Sequence, residues 1–342
     1  MQRHKIAFTI CLGLAFTMLS SAALAQYQLV NLVSNQFAAA RHDDPLIVNA
    51  WGLVFFPGGP FWISDNGSGW STLYNAQGNK KSLIVSIPSA SGAGPGSPTG
   101  IVFNGSGEFQ VGGWTAFFLF ATSDGTIQGW APQSNPNASI IAVNNSSSGA
   151  VYTGLAITNK PSGNLIYAAD SANNKVDVYD GNFTHVNSFT DTTLPAGFTP
   201  FGIQDIGGFV YVTFASSSGA AGGFVDIFKQ DGTLVRQLVH GGHLNQPWGL
   251  AMAPNNFGKL SNTLLVSNNT NAGTINGFNP ETGAFVGTVT DTSGKAILID
   301  QLWGITFGGG GGATSDGRTN QLFFTAGPHN NVAGTFGVIN TE

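Results

Sequence analysis

The 342-residue chain is 42% hydrophobic and only 8% charged, with 48 glycines and 15 prolines, a composition that can build a core and excludes intrinsic disorder. A formal net charge of −5, with Lys and Arg scattered singly, offers no basic stripe for phosphates, so nucleic acid is excluded as a partner and anionic membrane surfaces are disfavoured. The single cysteine, Cys11, leaves no intrachain disulfide to form.

In chain order, Arg3, His4 and Lys5 precede the apolar run from Ile6 to Leu19, and Ala23-Leu24-Ala25 supplies a small-x-small cleavage pattern before Gln26, so residues 1–25 are expected to be a signal peptide. The run is short of the roughly 20 residues that span a bilayer, and no later stretch is long enough. Cleavage would remove Cys11 and release residues 26–342, expected as one domain in the periplasm or outside the cell. The first segment of that domain, Tyr27 to Val33, is β-prone and has no neighbour of its own.

Six copies of one pattern follow. Gly52, Gly100, Gly154, Gly202, Gly249 and Gly304 recur at intervals of 47 to 55 residues, each inside a short segment such as Asn49-Ala50-Trp51-Gly52-Leu53 or Gln246-Pro247-Trp248-Gly249-Leu250. After each glycine come a β-rich run ending in small or polar residues (Phe61 to Asn66 in the first copy), a third alternating run (Ser71 to Asn75) and, beyond turns such as Gln77-Gly78 and Asp231-Gly232, a fourth run. Four strands per period of this length predict an all-β, six-bladed β-propeller. The sixth copy has only three strands before Glu342, so pairing of the N-terminal strand with the last blade would close the ring and remove a long exposed edge. A monomer is expected.

Trp51, Trp248, Trp303 and Phe201 stand just before their repeat glycines, where they are expected to fill the wedge between neighbouring blades, with sugar stacking as the alternative. The glycines themselves are expected where innermost strands approach closely at the axis. Gly308 to Gly312 lacks the Gly-Lys-Ser/Thr of a phosphate loop and is expected to be a flexible connection, as is Ser89 to Pro98.

In this architecture, loops entering the innermost strands and loops joining second and third strands share one axial face. They bring His42, Asp43, Asn49, His240, His243 and Asp300, and Asp65, Asn66, Asp170, Asn268 and His329, as candidate ligand contacts. Oxygen donors from several strands suit Ca²⁺, and two or three histidines suit Zn²⁺; Asp65, Asp170, His243, Asp300 and His329 are the candidate metal ligands. The competing reading is that Asp and Asn at strand ends bond their own turns. There is no His-Glu-x-x-His, no EF-hand loop and no Gly-x-Ser-x-Gly elbow. None of the three glutamates, Glu108, Glu281 and Glu342, falls in the face loops, so acid or base chemistry would rest on Asp or His.

The segments Leu46 to Gly52, Phe61-Trp62-Ile63-Ser64-Asp65-Asn66-Gly67, Leu73-Tyr74 and Asp124 to Trp130, with the later repeats, resemble NHL-type propellers and, more closely, an uncharacterised family of exported bacterial propeller proteins. Some members of that family carry an exosortase sorting tail, whereas this chain ends Val338-Ile339-Asn340-Thr341-Glu342. The resemblance implies an exported propeller and supplies no catalytic residues. More distant six-bladed relatives include metal-dependent lactonases and amidating lyases, but the lactonase pattern expects a glutamate ligand. The sequence therefore points to a secreted binding or interaction module acting through its axial top face on a carbohydrate, peptide or protein. The alternatives are a metal-dependent NHL-type lyase or hydrolase, using His42, His240, His243 or His329 with Asp65, Asp170 or Asp300, and a structural cell-envelope protein.

Overall fold

A computed structural model describes residues 27–158, 160 and 163–342, so the expected signal peptide lies outside the described residues. The repeat becomes six antiparallel sheets arranged as blades, because a run with apolar residues on both faces can be buried only between two other sheets. Blade 1 comprises Ala50–Phe55, Phe61–Asp65, Trp70–Tyr74 and Lys80–Ser86. Blade 2 comprises Pro98–Phe103, Phe118–Thr122, Thr126–Trp130 and Ile140–Asn144, and blade 3 Tyr152–Ile157, Leu165–Asp170, Lys175–Asp180 and His185–Phe189. Blade 4 runs through Phe198–Ile206, Phe209–Ser216, Phe224–Phe228 and Leu234–His240, and blade 5 through Pro247–Met252, Leu264–Asn268, Ile275–Phe278 and Phe285–Thr288. Blade 6 has Leu302–Phe307, Gln321–Ala326 and Thr335–Thr341, with Tyr27–Ser34 as its fourth strand. The fold is a six-bladed β-propeller, closed as expected by the N-terminal strand.

Closure is antiparallel, from Tyr27 opposite Thr341 to Ser34 opposite Thr335, with a bulge between Asn31 and Val33. The Tyr27 hydroxyl donates to Phe257 O at 2.8 Å and accepts from Leu260 N at 3.2 Å, which fastens the closing strand to blade 5. Large rings fill the spaces between blades: Phe61 packs on Phe323 and Phe336 between blades 6 and 1, and Trp62 stacks on Phe118 between blades 1 and 2. Each such ring contributes roughly 1.5–3 kcal/mol by leaving water.

At the axis the repeat glycines are a steric requirement. A β-carbon built on Gly52 would lie 2.3 Å from Thr99 O, on Gly202 1.9 Å from Trp248 O, on Gly249 2.7 Å from Trp303 O, and on Gly304 2.7 Å from Trp51 O. Each innermost strand thus rests its glycine on the backbone of the next blade, around the whole ring. Hydroxyls bridge the same seams: Thr99 Oγ1 donates to Tyr152 O at 2.6 Å, Thr153 Oγ1 to Phe201 O at 2.8 Å, and Ser267 Oγ to Trp303 O at 2.6 Å.

Two expectations are corrected. Trp51, Trp248, Trp303 and Phe201 do not each fill a separate wedge between two neighbouring blades. They come from blades 1, 5, 6 and 4 and meet as one cluster, with Trp51 stacked on Trp303 at 3.6 Å and Trp248 edge-on to both at 6.2 and 5.9 Å. Side chains from the start of innermost strands converge toward the axis, so these rings stopper the channel. Nor is Gly308 to Gly312 a free loop: it wraps the fully buried Asp316, whose carboxylate accepts Gly311 N at 2.6 Å and Gly58 N of blade 1 at 2.8 Å. Gly309 and Gly311 are needed because a β-carbon on either would strike that carboxylate, at 2.4 and 2.5 Å. A small hairpin, Gln110–Val111 with Trp114–Thr115, also decorates the long first connection of blade 2.

Candidate functional site

The innermost strands all run in one direction, from the tryptophan stopper toward the opposite face. The position after each repeat glycine holds Leu53, Ile101, Leu155, Ile203, Leu250 or Ile305, and these aliphatic side chains line a narrow neck of about 40 Å³ beneath Trp248. Beyond it the channel widens into a cavity of about 560 Å³, walled by Phe55, Phe103, Ile157, Met252 and Phe307. Polar side chains are few: Gln204, Asp205 and Thr306. Asp205 accepts Gly208 N at 3.3 Å and Gln230 Nε2 at 3.4 Å, and burial holds its carboxyl above the ordinary carboxylate range. Of the cavity residues, Met252 is the large apolar one most open to solvent, 37% exposed. This is a funnel of the size of small-ligand sites, its side chains mostly apolar and its exposed surface mixed.

The candidate residues of the other face are largely committed to local structure. Asn49 and Asn66 do meet near the axis: Asn49 Nδ2 donates to Asn66 Oδ1 at 3.0 Å, and Asn49 Oδ1 accepts Trp303 Nε1 at 3.1 Å. They steady the stopper. Asp300 and His329 also meet, the His329 backbone N–H donating to Asp300 Oδ2 at 2.8 Å, with His329 Nε2 3.0 Å from Gln36 Oε1. His329 and Asn330 hold the left-handed conformation, φ 59° and 57°. Asn268 accepts Asn245 N and donates to His243 O. Asp170 accepts Val151 N from the loop entering its blade and Asn173 Nδ2 from the turn that follows it.

The remaining residues do not join them. His42 and Asp43 are exposed on a two-residue strand beside Val33 and Ser34, on the outermost edge of blade 6. His240 ends the outermost strand of blade 4, and His243 stacks on Phe285 at 3.5 Å; both border a peripheral groove of about 280 Å³. Asp65 is wholly buried, its Oδ2 accepting Thr72 N at 3.1 Å and Thr72 Oγ1 at 2.7 Å, and burial raises its pKa well above the usual value. Of the five metal candidates, Asp300 and His329 meet, while Asp65, Asp170 and His243 lie elsewhere in the ring. Among the described residues no three His, Cys, Asp or Glu side chains gather to hold a metal ion. The physical reason is that short Asp and Asn side chains at strand ends are captured by the nearest backbone N–H groups.

The funnel is not legible in the sequence because its lining side chains are ordinary residue by residue. The signal that could have found it is the column of Leu or Ile after every repeat glycine, a ring of six aliphatic side chains about one axis.

Comparison with known proteins agrees with the architecture. Among solved structures, the virginiamycin B lyase of Staphylococcus aureus superposes with a TM-score of 0.54 at 12% identity, covering 92% of this chain and 99% of the lyase. Hydrazine synthase of Kuenenia stuttgartiensis does so with 0.50 at 14% identity, covering 85% and 80%. At such identities these likenesses show the fold alone. No protein-family model matches the chain. Uncharacterized protein R648 of Acanthamoeba polyphaga mimivirus is 33% identical, covering 93% of this chain and 81% of its own length, and uncharacterized protein L690 of the same virus is 31% identical, covering 83% and 79%. On these two relatives, the chain belongs to the propeller family of the mimivirus proteins R648 and L690.

Proposed function

We propose that the protein is a binding module that takes an apolar group of a peptide or partner protein into the axial funnel. The observation that carries this reading is the asymmetry of the channel, stoppered at one end by Trp51, Trp248 and Trp303 and opening at the other into a cavity of about 560 Å³ whose lining side chains are mostly apolar. Gln204, Asp205 and Thr306 supply few side-chain hydrogen bonds for a carbohydrate, whereas Phe55, Phe103 and the flexible Met252 suit an apolar side chain. The alternative of a metal-dependent lyase or hydrolase draws no support from the site, since its candidate ligands do not converge. The leader-like residues 1–25 support export, with one propeller domain acting outside the cytoplasm as a monomer. N-terminal sequencing of secreted protein tests that part, with Gln26 as the expected first residue.

Panning a random peptide library on the immobilised propeller tests the binding reading. Peptides centred on large apolar residues should be recovered from the wild type and not from Met252→Arg, which places a charge at the funnel mouth. Recovery of the same peptides from both proteins would overturn the assignment.

A further inference from the structure

The third strand of every blade has one register position that faces inward, held by Thr72, Gln128, Asp177, Asp226, Asn276 and Gly337. Where that side chain is polar, its own surroundings satisfy it, with one exception. Thr72 bonds Asp65, Gln128 bonds Pro88 O and Ser139, and Asn276 bonds His243 O and Thr288. Asp177, the other carboxylate of the series, is neutralised by Lys175 at 2.8 Å and accepts Ser188 Oγ at 2.7 Å.

Asp226 is the exception. It is 0% exposed, and no donor among the described residues reaches either of its carboxylate oxygens. Its polar neighbour is a second carboxylate, that of Asp191 on the connection from blade 3 to blade 4. Asp191 is itself buried, its Oδ1 accepting Thr193 N and Oγ1 at 2.7 Å each and its Oδ2 accepting Gln237 Nε2 at 2.8 Å. Burial, the Asp191 charge and the hydrogen bond that a protonated Asp226 gives Asp191 push the Asp226 carboxyl up to about 8, with no Lys, Arg or His among the causes. Two buried carboxylates with no countercharge from the chain are costly unless a proton or a cation neutralises one of them.

We propose that Asp191 and Asp226 form a Ca²⁺ site in the seam between blades 3 and 4. The available donors are all oxygen: two carboxylates, the Thr193 hydroxyl and, with its amide turned, the Gln237 carbonyl. Such a set suits a hard cation that tolerates irregular coordination, and the lack of His or Cys sets Zn²⁺ aside. This site is separate from the funnel and from every metal candidate named by the sequence.

The test is calorimetric titration of the chelator-treated propeller with CaCl₂ at pH 8.5, paired with melting curves with and without the ion. One Ca²⁺ per chain and a melting temperature raised by several degrees are expected for the wild type. Asp226→Asn should fold, because its amide can donate to Asp191, and should lose both responses. Asp191→Asn, which keeps the shape of the connection, should weaken binding at least tenfold. Absence of a calcium response in the wild type, with a proton shared by the pair instead, would overturn the proposal; so would an undiminished response in Asp226→Asn, which would place the ion elsewhere.

Discussion

The glycine ring makes a graded prediction about stability. None of Gly52, Gly100, Gly154, Gly202, Gly249 and Gly304 has a positive φ, so alanine costs nothing in backbone conformation and the whole effect is the contact its methyl makes. That contact differs around the ring: 1.9 Å to Trp248 O at Gly202, 2.3 Å to Thr99 O at Gly52, and 3.1 Å to Phe201 O at Gly154. At 1.9 Å the obstacle is a carbonyl fixed in the adjoining blade, so the two innermost strands must part. Overpacking of this kind costs about 3 kcal/mol or more, whereas the small adjustment at Gly154 costs about 1 kcal/mol. Urea unfolding of Gly202→Ala, Gly52→Ala and Gly154→Ala, read as the shift in midpoint at constant slope, should rank them in that order. Equal losses at Gly202 and Gly154, or a neutral Gly202→Ala, would refute the claim that close backbone approach is what the repeat glycine serves.

Two further outcomes follow from buried carboxylates. Asp65, faced by Asp44, Lys80 and Tyr74, has its pKa raised chiefly by burial, so the native state keeps a proton that the unfolded chain releases near pH 4. Stability should therefore be fullest below that pH and decline as pH rises toward the raised value; urea midpoints between pH 4 and 8 should show a shallower slope in Asp65→Asn, and an identical slope would count against the assignment. Asp316→Ala strands the N–H groups of Gly58 and Gly311, which should cost on the order of 3 kcal/mol and open Gly308 to Gly312 to limited proteolysis; an unchanged midpoint and cleavage pattern would show that the loop does not depend on the carboxylate.

Much of the architecture is legible in the chain because the repeat glycine answers to one steric demand at six places, and because Tyr27 to Val33 has only one edge left to pair with. The role of the tryptophans is less legible. Trp51 and Trp303 are adjacent through ring closure, 252 positions apart in the chain, and a pattern within one repeat cannot say whether a side chain meets its neighbouring blade or the opposite side of the axis. The polar candidates mislead for a different reason: Asp170 and Asn268 have the chemistry of ligands, yet they are taken up by backbone groups of the loop entering the same blade, Val151 N for Asp170 and Asn245 N with His243 O for Asn268. Asp226 is legible only by comparison of blades, since its equivalents in the register all find partners and it does not.

On the proposed reading, the funnel end of the channel binds and the opposite face does not. The most direct measurement is a fluorescence titration with an anilinonaphthalene sulfonate dye, which brightens on entering an apolar cavity, comparing the wild type with Met252→Arg and His329→Ala. The account predicts saturable binding to one site, at least tenfold weaker in Met252→Arg, about 1.4 kcal/mol, and unchanged in His329→Ala. Binding untouched by Met252→Arg and lost in His329→Ala would contradict it and return the site to the tryptophan-stoppered face.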